Sequence, residues 1–186
     1  AVMVGIEDLV ELAPSGSTVN ILAGTYTADM TITNDNITIQ GPYSNYYPSN
    51  PSRVNEAIIT GGFRVQGDSV TITGLTILDG VGPAGIGDIT AIHMASDTTG
   101  HLIKNNIITG ADASGSRGIV SSSPSGTFNV INNDFSGWTT GLYINPGSNN
   151  VFVDANNFHD NVNDLTIVHF DHAFHGRSGY TLSVTN

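Results

Sequence analysis

A chain of 186 residues without cysteine is long enough to bury a core in one domain, and no disulfide can stabilise it. The formal net charge of −11 argues against a basic surface for nucleic acid, and no apolar run reaches membrane-spanning length. We therefore expect a single domain over residues 1–186, with no nucleic-acid partner and no membrane span.

The first predicted element is a short helix at the N terminus. Apolar side chains recur there at helical spacing, at Val2, Ile6, Leu9 and Val10. A Pro-Ser-Gly turn at residues 14–16 ends this pattern. We interpret residues 1–16 as a capping helix and turn, and residues 17–186 as the coils of a repeat.

The repeat is carried by short apolar–x–apolar strands separated by tight turns. Three similar segments open at Ile92, Ile119 and Leu142, and Met30 and Phe63 open earlier strands in the same frame. An interval of about 25 residues between such strands is typical of a parallel β-solenoid. The sequence therefore predicts an all-β solenoid of about six to seven coils.

One asparagine lies at the same distance after the opening of each of the three segments. These residues are Asn106, Asn133 and Asn156. Stacked coils bring equivalent positions together, so we expect the three amides to form a structural ladder at one turn and to satisfy buried polar groups. Leu75 occupies this position one coil earlier, so the ladder is expected to begin at Asn106.

The N-terminal region resembles a known family. The amphipathic helix, the Pro/Gly turn, TVNI (18–21), GTY (24–26) and ITIQG (37–41) are similar to the cap and first coil of pectin-lyase-like proteins. This resemblance implies a single-stranded right-handed parallel β-helix with a short N-terminal capping helix. It also implies that a sugar ligand lies on the outer face of the first-strand sheet.

Outward positions of that sheet include three candidate ligand-binding residues. Arg64 could pair with a carboxylate, Tyr143 could stack on a sugar ring, and His93 lies between them. The alternative is an ordinary solvent-facing sheet. We interpret the loops 42–56, 79–89 and 111–117 as leaving one corner after the third strand of a coil, where they could wall a groove over this face.

The densest ionisable cluster lies near the C terminus. Its imidazole and carboxylate groups suit zinc or a similar metal, and it comprises His169, Asp171, His172 and His175. No known ligand motif matches, so an inserted loop is the alternative. Ca²⁺ could bridge the acidic surface, but no motif indicates it, and we expect no cofactor.

Function is predicted from the fold and from the end of the last coil. The first-strand face has no stacked aspartate pair or lysine suited to lyase chemistry, and no paired carboxylates suited to hydrolysis. The leading hypothesis is a non-catalytic, secreted, extracellular structural subunit of a surface fibre, spike or adhesin. It would pack end to end through an uncapped last coil containing Tyr180, Leu182 and Val184.

Two other hypotheses remain open. One is a carbohydrate-active β-helix protein, either a sugar-binding module or a small polysaccharide lyase, that uses the outer face of the first-strand sheet. The other is that the chain is one part of a longer solenoid whose function lies elsewhere.

Overall fold

The computed structural model describes residues 5–78, 89–95, 97–111, 113–122, 127–145, 150–167 and 181–185. Within these ranges the chain forms one short helix and a series of strands. The elements are α1 (Ile6–Glu11), β1 (Thr18–Asn20), β2 (Gly24–Ile32), β3 (Thr38–Gln40), β4 (Ala57–Val65), β5 (Thr71–Thr73), β6 (Thr76–Leu78), β7 (Thr90–Met94), β8 (His101–Lys104), β9 (Ile107–Thr109), β10 (Arg117–Ser122), β11 (Thr127–Ile131), β12 (Asp134–Ser136), β13 (Thr140–Asn145), β14 (Asn150–Asp154), β15 (Asn157–Phe158), β16 (Asn163–Ile167) and β17 (Thr181–Thr185).

Helix α1 is shorter than the predicted one. Acidic Glu7 and Asp8 lie in its first turn, where they complement the helix dipole, and the backbone N–H of Gly5 donates to the Asp8 carboxylate at 3.2 Å. Val10 is buried, but Leu9 is 54% exposed, so the apolar face is narrower than the sequence pattern indicated. Val2 lies outside the described residues.

One sheet of the structure has seven strands. Its order is β1-β3-β5-β8-β11-β14-β17, and its strand pairs are all parallel. The register joins like residues, since Ile39 pairs with Ile72 and Ile72 pairs with Ile103. Like residues therefore occupy equivalent positions in successive strands of this sheet.

A ten-stranded sheet has two arms that meet at β4. Residues 58–60 of β4 pair with β6, whereas residues 63–65 pair with β7. We name the strands β6, β9, β12 and β15 the β6 arm, and the strands β7, β10, β13 and β16 the β7 arm. Strand β2 pairs with β4 along its full length. The prediction of a mostly β chain with parallel strands is confirmed.

The position of the loop 42–56 differs from the prediction. The loop connects β3 to β4 and does not follow a third strand. The first half of β4 pairs with β6 and its second half pairs with β7, so β4 supplies the third strand of one predicted coil and the first strand of the next without a break. The loop therefore lies at the corner between the seven-stranded sheet and the β6 arm. Of the loops 79–89 and 111–117, the structure describes residues 89, 111 and 113–116 outside the strands. These residues lie between a strand of the β6 arm and a strand of the β7 arm, at the corner where the two arms meet.

The core consists of apolar residues that pair in register from strand to strand. One such column runs through the β7 arm and contains Met30, Phe63, Ile92, Ile119 and Leu142. All five side chains are fully buried, and each contributes about 1.5–3 kcal/mol through removal of apolar surface from water. A second column, in the β6 arm, ends with Phe135 and Phe158, whose rings stack with centroids 4.7 Å apart.

Candidate functional site

The predicted ligand-binding residues lie in one register column that runs from β4 into the β7 arm. Arg64 pairs with His93, His93 with Val120, and Val120 with Tyr143. Arg64, His93 and Tyr143 are each partly exposed. The structure thus makes Arg64 and His93 direct neighbours and places Tyr143 two strands beyond His93.

Contacts within this column restrict what it can bind. His93 Nε2 lies 2.7 Å from the Ser122 hydroxyl, and the guanidinium of Arg117 lies 4.3 Å from the centroid of the Tyr143 ring. That cation–π contact occupies one side of the ring. Arg64 Nε is buried and has no hydrogen-bond partner among the described residues, although the Arg64 side chain as a whole is partly exposed. Sequence reasoning missed Arg117, since nothing in its spacing indicates the contact with Tyr143.

The three ladder asparagines are joined by hydrogen bonds at one corner. The backbone N–H of Asn106 donates to Asn133 Oδ1 at 3.0 Å, and the backbone N–H of Asn133 donates to Asn156 Oδ1 at 2.8 Å. The Asn106 oxygen accepts from the backbone N–H of Leu75 at 3.1 Å. Leu75 therefore occupies the first position of the column but contributes no side-chain amide to it.

Each ladder residue follows a residue in the left-handed region. Gly74 has φ of 71°, and Asn105, Asn132 and Ala155 have φ of 57°, 53° and 51°. Glycine and asparagine adopt this conformation at low cost, which explains their recurrence before the ladder. The ladder amides donate to carbonyls of the neighbouring strand in the seven-stranded sheet, for example Asn133 Nδ2 to Ile103 O of β8 at 2.9 Å. These groups are used by the fold, so we assign them no ligand.

A second ladder, which was not predicted from the sequence, lies in the turns just before β3, β5 and β8 of the seven-stranded sheet. The backbone N–H of Asp68 donates to Asp35 Oδ1 at 2.8 Å, and the backbone N–H of Thr99 donates to Asp68 Oδ1 at 2.9 Å. The position is occupied by different residue types, so no repeated letter revealed it. Asp35, Asp68 and Thr99 lie just before β3, β5 and β8, and this shared spacing was the signal available in the sequence.

His101 is a buried histidine on the inner face of β8. The backbone N–H of Val70 donates to its Nδ1 at 3.4 Å, and its Nε2 lies 2.9 Å from the Thr98 hydroxyl. Burial lowers the pKa of His101 to about 4, against a small opposing effect of the Asp68 charge. The side chain is therefore neutral at pH 7 and acts in packing.

His159 lies at the surface between two carboxylates. Its Nδ1 is 2.8 Å from Asp160 Oδ2, and its Nε2 is 2.9 Å from Asp134 Oδ1. These hydrogen bonds, that to Asp160 first, raise the pKa of His159 above its ordinary value. The arrangement links β12 to the residues that follow β15.

The remaining predicted site residues are only partly within the described ranges. His169, Asp171, His172, His175 and Tyr180 lie outside them. Leu182 and Val184 belong to β17, where they pair with Val151 and Val153 of β14. Across the ranges described, no three histidine, aspartate or glutamate residues are grouped as a metal site, and no helix is long and apolar enough to cross a membrane.

Comparisons with protein-family models, curated proteins and solved structures find no match for this chain.

Proposed function

We propose that the chain is a right-handed parallel β-helix of the pectin-lyase-like type that serves as a non-catalytic extracellular structural subunit. In this proposal it packs end to end with a second copy in a surface fibre, spike or adhesin. The in-register columns and the asparagine ladder support a solenoid, because each coil is bonded to the next at equivalent positions.

The observation that carries the proposal is that the apolar side chains of the core columns are more exposed in β16 than in β13. Leu142 and Ile144 of β13 are 0% and 2% exposed, whereas Leu165 and Ile167, their partners in β16, are only partly buried. In the described part of the chain β16 and β17 each pair on one side only. An apolar surface bordered by unpaired backbone groups favours addition of further strands.

The experiment is light scattering coupled to size exclusion over a range of protein concentrations. Ile167→Glu introduces a charge on the apolar end and is expected to yield monomers. Thr166→Glu is the matched control, because Thr166 belongs to the outward column of the same strand, and it is expected to leave association unchanged. Circular dichroism establishes that both variants fold. A wild-type chain that stays monomeric at every concentration contradicts the proposal.

A second candidate function is supported by Arg64. The partly exposed Arg64 side chain beside His93 suits a carboxylate-bearing sugar, so the alternative is a sugar-binding module or small polysaccharide lyase that uses the column of Arg64, His93 and Tyr143. The test is incubation with polygalacturonate, with and without Ca²⁺, followed by assays for binding and for unsaturated chain ends. Loss of either signal in Arg64→Ala but not in Thr166→Ala supports this function, and no signal from the wild type contradicts it.

A further inference from the structure

A pocket of about 160 Å³ lies at the corner between the seven-stranded sheet and the β6 arm. The loop 42–56 forms one wall, and the ladder turn with the adjoining strands forms the other. Its lining includes Tyr47, Pro48, Ser49, Asn132, Asp134 and Asn157. We name this feature the loop pocket. It lies on a different side of the molecule from the Arg64, His93 and Tyr143 column.

The loop wall of the pocket is held by a buried arginine. The Arg53 side chain is 2% exposed and makes two hydrogen bonds to the Glu56 carboxylate, at 2.8 and 3.0 Å. It also donates to the backbone carbonyl of Asn105 at 2.8 Å, which ties the loop to the ladder turn. The Tyr43 hydroxyl accepts from the N–H groups of Val54 and Asn55, both at 2.9 Å. The wall is therefore formed before any ligand arrives, which lowers the entropic cost of binding.

The groups in the loop pocket match the chemistry of a sugar ring. Tyr47 is 61% exposed, so its aromatic ring is open to contact with the apolar C–H face of a pyranose. The opposite wall carries the Asp134 carboxylate and the Asn157 amide, and the loop carries the Ser49 hydroxyl. Asp134 Oδ2 accepts from Asn157 Nδ2 at 2.9 Å and Asp134 Oδ1 lies 2.9 Å from His159 Nε2, so each oxygen keeps one further acceptor position for a hydroxyl donor.

Charge decides between neutral and acidic sugars. The chain carries a net charge of −11, and Asp134 lies within the pocket itself. His159 lies between Asp134 and Asp160, so two carboxylates surround one imidazole and the local charge stays negative. A uronate would be repelled there, whereas a neutral hexose would donate hydroxyl hydrogens to Asp134. The geometry points to a binding site for a neutral hexose residue of an oligosaccharide in the loop pocket. This inference goes beyond the structural role proposed above and does not depend on end-to-end packing.

The test is titration of the ¹⁵N-labelled full chain with maltotriose, cellotriose and mannotriose, and with trigalacturonate as the acidic probe. We expect at least one neutral trisaccharide to shift the backbone amide signals of Ser49, Asn132 and Asn157. Tyr47→Ala is expected to weaken that binding about tenfold through loss of ring contact. Because Tyr47 is mostly exposed, the variant is expected to fold.

Phe152→Ala is the matched control, since it removes an exposed aromatic side chain from β14 of the seven-stranded sheet and leaves the loop pocket intact. It is expected to bind as the wild type does. Three results overturn the inference: no shift with any neutral trisaccharide, stronger binding of trigalacturonate, or loss of binding in Phe152→Ala and not in Tyr47→Ala. Stronger binding of trigalacturonate would move ligand binding to the column of Arg64, His93 and Tyr143. Oligomeric state, measured on the same samples, reports separately on end-to-end packing.

Discussion

Asn133 Oδ1 accepts two hydrogen bonds from Asn106, one from its backbone N–H at 3.0 Å and one from its side-chain Nδ2 at 3.1 Å. The Asn133 amide nitrogen in turn donates to Ile103 O at 2.9 Å and to Asn156 Oδ1 at 3.0 Å. One buried side chain therefore bonds to the turn after β8 and to the turn after β14. This relation makes the register of these neighbouring parallel strands sensitive to a single residue.

We predict that Asn133→Ala lowers the free energy of unfolding by about 3 kcal/mol, because it leaves buried groups of Asn106 and Ile103 without partners. Asn129→Ala, on the outward face of β11, is the control and is expected to change stability by less than about 0.5 kcal/mol. Urea unfolding measures both. Equal losses in the two variants would show that the ladder contributes nothing specific.

We predict that stability falls as the pH drops from 6.5 towards 4, because of His101. The pKa of His101 is lowered to about 4 by burial, so the unfolded chain takes up a proton near pH 6.5 while the folded chain does not. The contribution of neutral His101 to the free energy of unfolding is complete above pH 6.5. It decreases as the pH falls towards 4, by about 3 kcal/mol in total. Urea unfolding across this range measures the slope.

His101→Gln provides the control for that slope. Glutamine keeps a donor and an acceptor for Thr98 and Val70 but does not titrate. The variant is expected to show a flatter pH dependence than the wild type. An unchanged slope would assign the acid sensitivity to other groups.

We predict the opposite pH dependence for His159. Its pKa is raised in the folded chain by hydrogen bonds to Asp160 and Asp134. The stability that it adds is therefore present below its unfolded pKa and is lost as the pH rises through the folded pKa. An NMR titration of the imidazole is expected to give a midpoint above 6.5, and Asp160→Asn is expected to bring it closer to 6.5. A wild-type midpoint below 6.5 would refute the assignment.

We predict that Arg53→Met lowers the free energy of unfolding by about 3–5 kcal/mol, since it leaves the Glu56 carboxylate without its partner. Limited proteolysis is expected to cut first within residues 42–56. Lys104→Met also removes one positive charge, from a partly exposed position, and serves as the control. The double variant Arg53→Met with Glu56→Met is expected to regain part of the loss, because no unpaired charge is left. If Arg53→Met is no less stable than Lys104→Met, the contact of Arg53 with Glu56 is not required for the stability of the chain.

Much of the parallel architecture could be predicted from the sequence, because like residues recur at equivalent positions. Met30, Phe63 and Ile92 were aligned from their spacing alone, and they pair in that register. The alternation of faces along a strand then followed from the pleat.

Features that depend on unlike residues could not be predicted in this way. Asp35, Asp68 and Thr99 form a ladder with different side chains, so no repeated letter pointed to it. The loop 42–56 was assigned to the wrong corner, because short strands were assumed throughout and β4 is one unbroken strand of nine residues. The contact between Arg117 and Tyr143 and the burial of Arg53 both depend on tertiary structure that spacing does not encode.

Arg53 has a mechanical consequence that follows from the residues it joins. It belongs to the loop before β4, and it donates to the carbonyls of Leu75 and Asn105, each one turn of chain further along the stack. A pulling force applied at the N terminus reaches β1, β2 and β3 before it reaches Arg53, but it would have to break this clamp before β4 could peel from β6 and β7. The three N-terminal strands are therefore expected to detach first, and β4 only at the higher force that breaks the Arg53 contacts.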